Sequence, residues 1–414
     1  MKKPGCAWLG AALLLPAVAH AAPPTAAANA ASPAAAATMH EAMITLDTHL
    51  DTPESLDRPG WSIMDRHDVA RDYTQVDVPR MKEGGLDGGF WAIYTPQGPL
   101  DADHYAKVRD FAVMRGLSIR LMVAAHPETF ALATTSADAA RIAAQGKRIV
   151  YMSIENAYPL GEDISLLALF HQMGVRELGF AHFRNNQFAD SSTDPEGPRW
   201  QGLSPAGEKL LAEANRLGMI IDASHSSDTV LDQLIAKSTT PVVLSHSGCK
   251  AVYDHPRNVD DDRLRALAAK GGVIQINSYG GYLRATKPNP ERTAALMALY
   301  AERGEEEKTT PEAYAAMLEK RRAIDARYPD TDRPTFDDFM KHLLHALKVV
   351  GPDHVGIGMD WDGGGVVGLE DAAGLPRITE ALLAAGYRRE DIAKIWGGNI
   401  LRVMKQVEAA ASPG

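Results

Sequence analysis

A histidine and an aspartate two residues apart close the first apolar run of the chain: "TLDTHLDTP", residues 45–53, carries His49 and Asp51. Side chains at i and i+2 of a strand point to one side, roughly 6 to 7 Å apart along it, so both can lean on a single cation. The habit recurs downstream. Apolar runs close on Glu155 ("RIVYMSIEN", 148–156), His182 ("VRELGFAH", 175–182), His225 ("GMIIDASH", 218–225), His246 ("PVVLSHS", 241–247) and Asp360 ("HVGIGMDWD", 354–362). Imidazoles and carboxylates ligate metal ions and move protons near neutral pH. Even three imidazoles and two carboxylates out of this set are more than one catalytic zinc needs, since such a site usually takes three protein ligands plus water. They suit two ions roughly 3.5 to 4 Å apart, bridged by a carboxylate and a hydroxide. Glu155 is the natural bridge.

Each residue alone has a plainer explanation. A single histidine at a strand end is more often hydrogen-bonded structure than ligand, and "SHS" at 224–226 and 245–247 can be turn chemistry, with serines satisfying backbone donors. What carries the reading is the set, and the set means something only if the run ends meet in space. The elements must therefore be arranged to converge. The first run, taken as "MITLDTHLD" (43–51), and the five that follow it are joined by "GLDGGFWAIY" (85–94) and "GGVIQIN" (271–277), which makes eight predicted strands. Helical patterns separate them: "SPAGEKLLAEANRLG" (204–218), started by Ser204 and Pro205 and ended by Gly218, "SDTVLDQLIAKS" (227–238), and "DDDRLRALAAKGG" (260–272). "IRLMVAA" (119–125) is assigned to a helix starting near Asp103. Apolar strands alternating with helices imply a parallel sheet covered on both faces, and eight repeats favour an α/β fold of the closed (β/α)8 TIM-type barrel class. In such a barrel the strand ends share one mouth, where the active site lies. The charged, helix-prone stretch from Tyr282 to Lys348 is too long for one crossover and reads as a helical insertion after the seventh strand, placed to roof the site.

The 414 residues, 45% hydrophobic and 23% charged, can build a large core. Lys2 and Lys3 precede an apolar stretch from Ala7 to Val18, and "AHA" at 19–21 supplies small residues for cleavage, so residues 1–21 read as an export signal cut after Ala21. The apolar stretch is shorter than the roughly 20 residues of a spanning helix. Loss of the two lysines moves the formal charge from −10 to −12. An acidic chain without a basic run does not suit nucleic acid or an anionic membrane surface. Cys249 alone remains once Cys6 is removed, so no internal disulfide forms. Residues 22–40, rich in Ala and Pro, read as a flexible lead-in, 41–408 as the metal-binding barrel and 409–414 as a tail.

The set "THLDTP" (48–53), "SIEN" (153–156), "LGFAHFRNNQFADSSTD" (178–194), "IDASHSSD" (221–228), "VVLSHSGCKAVYDHPRN" (242–258), "HVGIGMDWDG" (354–363) and "GGNILRV" (397–403) resembles the membrane (renal) dipeptidase family of zinc metallopeptidases in the amidohydrolase superfamily. The resemblance runs from about Ile44 to Val403. It implies two zinc ions per chain, one held by His49, Asp51 and Glu155 and the other by Glu155, His225 and His246. It further implies that His182 contacts the scissile carbonyl or the tetrahedral oxyanion, that Arg257 binds the carboxylate of a dipeptide, and that Asp360 manages the proton of the attacking water. For Arg257 the alternative is an ion pair with Asp254 or Asp260, and for Asp360 the rival is Asp362. Trp61, Tyr94 and Trp361 are candidates to line the cleft. Asn156, where relatives often carry glycine, and Leu50 and Thr52 depart from the pattern and bear on substrate preference. Relatives often pair, so a homodimer is compatible with the resemblance. Mammalian relatives end in a lipid-anchor signal, whereas "VEAAASPG" has no apolar tail, so the expectation is an exported protein without a stable membrane anchor.

Two other functions use the same residues. One is opening of β-lactam or lactone rings on the same metal pair, from which Arg257 distinguishes only the lactone case. The other is a non-catalytic exported peptide-binding protein, against which the presence of Asp360 beside a full ligand set argues, because binding alone does not require activated water.

Overall fold

The computed structural model of the protein describes residues 33–301 and 310–412. The strands of these residues are β1 (Leu46–Leu50), β2 (Gly88–Ile93), β3 (Phe130–Leu132), β4 (Arg148–Ile154), β5 (Val175–Gly179), β6 (Ile220–Asp222), β7 (Val242–Cys249), β8 (Asn258–Val259), β9 (Val273–Ile276) and β10 (Val355–Ile357). Eight of them run in the order β1-β2-β4-β5-β6-β7-β9-β10, each parallel to its neighbour. The ring closes where Leu50 bridges Trp361 in the parallel sense and the Asp51 N–H donates to the Trp361 carbonyl at 2.9 Å. This is the expected (β/α)8 barrel. The eight barrel strands are the eight apolar runs, because a strand buried on both faces must be apolar at nearly every position. Of three and two residues respectively, β3 and β8 pair beside β4 and β7 and are too short to leave such a pattern.

The helices form where their end signals stand. Ser204 accepts from the Gly207 N–H, Pro205 occupies the first turn, and Gly218, at φ 73°, ends the helix Pro205–Leu217 in the left-handed conformation. The residues from 102 to 125, including "IRLMVAA", are one helix, Ala102–Ala125, as assigned from the sequence, capped by Asp101. The strand starts Leu46, Ile149, Ile220, Val243 and Val273 pack with Ile400, Val403, Met404 and Val407 of the C-terminal helix Asn399–Ala410, which plugs the end of the barrel away from the mouth. Within the stretch read as an insertion, helices Pro290–Ala301 and Pro311–Arg327 enclose their own small core of Leu299, Tyr314, Met317 and Leu318. The following helix, Phe336–Val350, instead buries Phe339, Leu343 and Leu347 against the barrel, so it is the crossover and not part of the insertion.

One boundary is corrected. Pro33–Glu41, within the presumed flexible lead-in, is a helix. Its anchor is His40, fully buried, with Nδ1 2.8 Å from Thr379 Oγ1, Nε2 2.9 Å from the Gly84 carbonyl, and its ring edge-on to Trp396. An alanine-rich stretch offers no periodic face, yet the helix docks through His40 together with the buried Ala36 and with Met39, which packs against the core. Residues 1–21, read as the export signal, lie outside the described residues. No helix among those described is long and apolar enough to cross a membrane.

Candidate active site

Backbone irregularities aim the site residues. The pairing register of β1 shifts between Asp47 and Leu50, beside His49. That of β4 shifts between Met152 and Ser153, two residues before Glu155, and that of β7 between Leu244 and Ser247, around His246. Such irregularities turn side chains out of strict alternation and recur next to active sites. His225 and Asp360 lie just beyond β6 and β10 with φ of 64° and 63°, a region that side chains with a Cβ seldom occupy. Strain of this kind persists only where the surroundings impose it.

All seven strand-end candidates meet at the mouth. Glu155 Oε1 lies 3.2 Å from His182 Nε2, 3.2 Å from His225 Nε2, 3.7 Å from His49 Nε2 and 3.8 Å from His246 Nε2. Asp51 Oδ1 stands 3.6 Å from His49 Nε2. Three overlapping groups have ligand atoms within 4.8 Å of one another: His49, Glu155 and His246; Glu155, His182 and His225; His49, Asp51 and Asp360. Geometry thus puts four imidazoles around one carboxylate, with His182 as near Glu155 as any expected ligand. Its ring differs in its neighbours, lying between Tyr94, edge-on at 5.1 Å, and Phe183 at 4.0 Å.

The residues fit a metal. His49 Nε2, Asp51 Oδ1 and Glu155 Oε2 are buried with no hydrogen-bond partner, although buried polar atoms are nearly always paired. Burial, reinforced by the Arg257 charge at His225 and by His49 at His246, holds both imidazoles well below the usual histidine range, which keeps them neutral and able to ligate. Burial opposes the charge on His49 and on Glu155 as well, but there the partners win: Asp51 and Glu155 raise His49, while His182 and His49 hold Glu155 well below the carboxylate range. Burial, followed by the charges of Asp51 and Glu155, pushes Asp360 up to about 8. Opposed carboxylates in one buried space favour a proton or a cation among them.

Asp362, the rival of Asp360, points elsewhere and accepts hydrogen bonds from Thr52 Oγ1 and the Gln75 N–H, both at 2.6 Å. Among the described residues Arg257 makes no ion pair: Asp260 is taken by Arg263, and Asp254 lies beside Lys250. The Arg257 guanidinium, buried, donates to the His246 carbonyl at 3.1 Å, lies 5.1 Å from the centroid of the Tyr282 ring, and leaves Nε without a partner. Of the aromatics, Tyr94 faces the site, Trp361 is core and Trp61 stacks on His67. Asn156 is locked by hydrogen bonds with Gln97, Tyr158 and Asn186. Gly363 was not singled out from the sequence, yet a Cβ there would come within 2.9 Å of Asp360 Oδ1 and 3.3 Å of Asp51 Oδ2. "DWDGGG" shows that something must pass closely but not what. Gly363 also borders a cavity of about 1070 Å³ walled by Tyr73, Arg292, Arg321 and Asp325, which none of the seven candidates line, so the insertion lies beside the turn that carries Asp360.

A family model, membrane dipeptidase (peptidase family M19), matches residues 34–413. The chain belongs to the membrane dipeptidase family. Dipeptidase tcpJ of Claviceps purpurea is 32% identical to this family member over 360 residues, 85% of this chain and 74% of that protein. Among solved structures, the probable dipeptidase PvdM of Pseudomonas aeruginosa matches with a TM-score of 0.76 and 31% identity, over 92% of this chain and 99% of that one. A metallopeptidase from Rhodobacter sphaeroides, liganded with a phosphinate mimic of the dipeptide L-Ala-D-Ala, matches with a TM-score of 0.70 and 26% identity, over 88% and 99%. This membrane dipeptidase family member is accordingly a hydrolase of the dipeptidase class, with clustered candidate metal ligands at its barrel mouth.

Proposed function

We propose that the protein is an exported dinuclear zinc dipeptidase that cleaves dipeptides bearing a free C-terminal carboxylate. The observation that carries this reading is the set of buried, unpartnered ligand atoms of His49, Asp51 and Glu155 facing neutral His225 and His246. One zinc ion would be held by His49, Asp51 and Glu155 and the other by Glu155, His225 and His246, and together they would supply Lewis acidity and a water acidic enough to ionise near neutral pH.

The chain's own residues do the rest. Arg257 offers a planar fork to the substrate carboxylate, with Tyr282 backing the guanidinium, and this charged anchor favours very short peptides. His182 faces the same space as Glu155 and stabilises negative charge that develops on the carbonyl oxygen only as the carbon becomes tetrahedral. Asp360, whose carboxyl can hold a proton near neutral pH, takes one from the attacking water and delivers it to the leaving amine. The Rhodobacter sphaeroides neighbour, liganded with a mimic of L-Ala-D-Ala, supports extending the substrate class to a D-residue at the second position. Export with cleavage after Ala21 and pairing with a second copy belong to the same reading.

Chelation should abolish dipeptide hydrolysis by the purified protein, and zinc should restore it with two equivalents bound. A panel of L,L and L,D dipeptides measures the second-residue preference. Full activity after complete metal removal would falsify the assignment.

A further inference from the structure

His246 is gripped by a hydrogen-bond chain that has no counterpart at His225. Its Nδ1 lies 2.8 Å from Ser245 Oγ, and that oxygen lies 2.6 Å from Asp222 Oδ2. All three residues are buried. Asp222 Oδ1 is already occupied by the backbone N–H groups of Ser224 at 2.9 Å and Ser245 at 2.8 Å. A carboxylate has acceptors and no donor, so the short contact at Oδ2 uses the Ser245 hydroxyl proton. Ser224 Oγ, at 3.3 Å, is a longer and neutral alternative that a carboxylate at 2.6 Å outcompetes. With its proton committed to Asp222, Ser245 can face Nδ1 only as an acceptor, which puts the imidazole hydrogen on Nδ1 and leaves a lone pair on Nε2. Nε2 points into the cluster, 2.8 Å from His225 Nε2 and 3.8 Å from Glu155 Oε1. At His225, by contrast, Nδ1 is buried with no hydrogen-bond partner.

We propose that Asp222 and Ser245 are positioning residues that fix His246 as its Nδ1–H tautomer and present its Nε2 lone pair to the metal. The inference rests on the metal-binding role given to His246. The two "SHS" triplets are therefore unequal: Ser224 Oγ accepts from the His246 backbone N–H at 3.1 Å and Ser226 Oγ has no partner among the described residues, whereas Ser245 faces its neighbour's imidazole.

Asp222→Asn supplies a sharp test. The two backbone donors keep the amide oxygen at the Oδ1 position, so the amide NH2 faces Ser245 Oγ and donates to it. The hydroxyl proton is released toward Nδ1 at 2.8 Å in preference to Ser224 Oγ at 3.3 Å, and the His246 hydrogen moves to Nε2. Nitrogen-15 NMR of histidine-labelled, metal-free protein should show Nδ1–H at His246 in the parent and Nε2–H in Asp222→Asn. Chelator competition should show zinc affinity at one of two sites falling by roughly 10- to 100-fold. Ser245→Ala, which removes the chain without reversing it, should lose less. A parent protein with Nε2–H, or an Asp222→Asn protein with parental tautomer and zinc affinity, overturns the proposal. The tautomer of the parent decides the matter even if the variants do not fold. A parent that binds no zinc at all would instead strike the dinuclear reading, which the NMR measurement leaves separate.

Discussion

Arg257 illustrates what burial does to a residue that is ordinarily a surface cation. With N–H groups given to the His246 carbonyl at 3.1 Å and to Ser247 Oγ at 3.5 Å, a tyrosine ring alongside and, among the described residues, no carboxylate paired to it, the guanidinium is held in place with hydrogen-bonding capacity to spare at Nε. A buried cation without an ion pair is costly, and a site that binds an anion offsets the cost only when substrate is present. Arg257→Lys keeps the charge and loses the fork. For a dipeptide such as L-Ala-L-Ala, KM should rise by roughly tenfold or more while kcat changes less, because the carboxylate is held equally in ground and transition states. Steady-state kinetics against the dipeptide and its C-terminal amide check this: the variant should also discriminate less between acid and amide. Unchanged KM for the acid would remove Arg257 from recognition. Residue identities at the site were legible in the sequence because a charged or imidazole side chain at the end of an apolar run is conspicuous. The choice of Asp360 over Asp362 was not legible from spacing, since the left-handed φ of both residues breaks the strand alternation on which spacing arguments depend.

At the level of elements, alternation brought the apolar runs to the right strands, and register shifts and turns then aimed their last residues. The barrel was legible because every barrel strand is buried on both faces; β3, β8 and the helix Pro33–Glu41 were not, being too short or too uniform to carry a pattern. The turn after β10 is where this matters most. Asp360 has φ 63°, Gly363 follows it, and the N–H of Gly363 donates back to the Asp360 carbonyl at 3.1 Å. Gly363 is not needed for a positive φ; it is needed for space, since its missing Cβ would press on both Asp360 and Asp51. Gly363→Ala should therefore lower kcat/KM on the order of 10- to 100-fold, as expected when reacting groups are displaced by a fraction of an ångström to an ångström. Its effect on unfolding free energy should stay within about 1 kcal/mol because the residue is exposed. Kinetics beside thermal unfolding separates the two. Parental kcat/KM would show that the loop yields and the carboxylates do not.

The whole molecule carries a further consequence of building acid chemistry into a closed barrel. Below the mouth the wall contains carboxyls on which burial outweighs the charge of the nearby His49: Asp47, wholly buried, is pushed up to about 7 by burial against the opposing pull of the His49 and Met359 N–H groups, and Glu177 is raised well above the usual glutamate range by burial and then by Asp222. Glu177 Oε2 has no hydrogen-bond partner. An acid whose pKa is higher folded than unfolded keeps its proton in the native state over a pH range where the unfolded chain has released it. Stability therefore falls as pH rises from about 4.5 toward the folded value, with a slope of up to about 1.4 kcal/mol per pH unit for one such group, and is level outside that window. Glu177→Gln keeps the shape and removes the titration. In metal-free protein, the variant should be more stable than the parent at pH 8, with the advantage shrinking steadily toward pH 5 as the pH nears the unfolded value of 4.5, below which Glu177 of the parent is protonated in both states. Chemical denaturation at pH 5, 6, 7 and 8 measures it. An offset between the two proteins that does not change with pH would mean that Glu177 is ionised in the folded barrel, and that this layer of the wall is stabilised by charge and not by a retained proton.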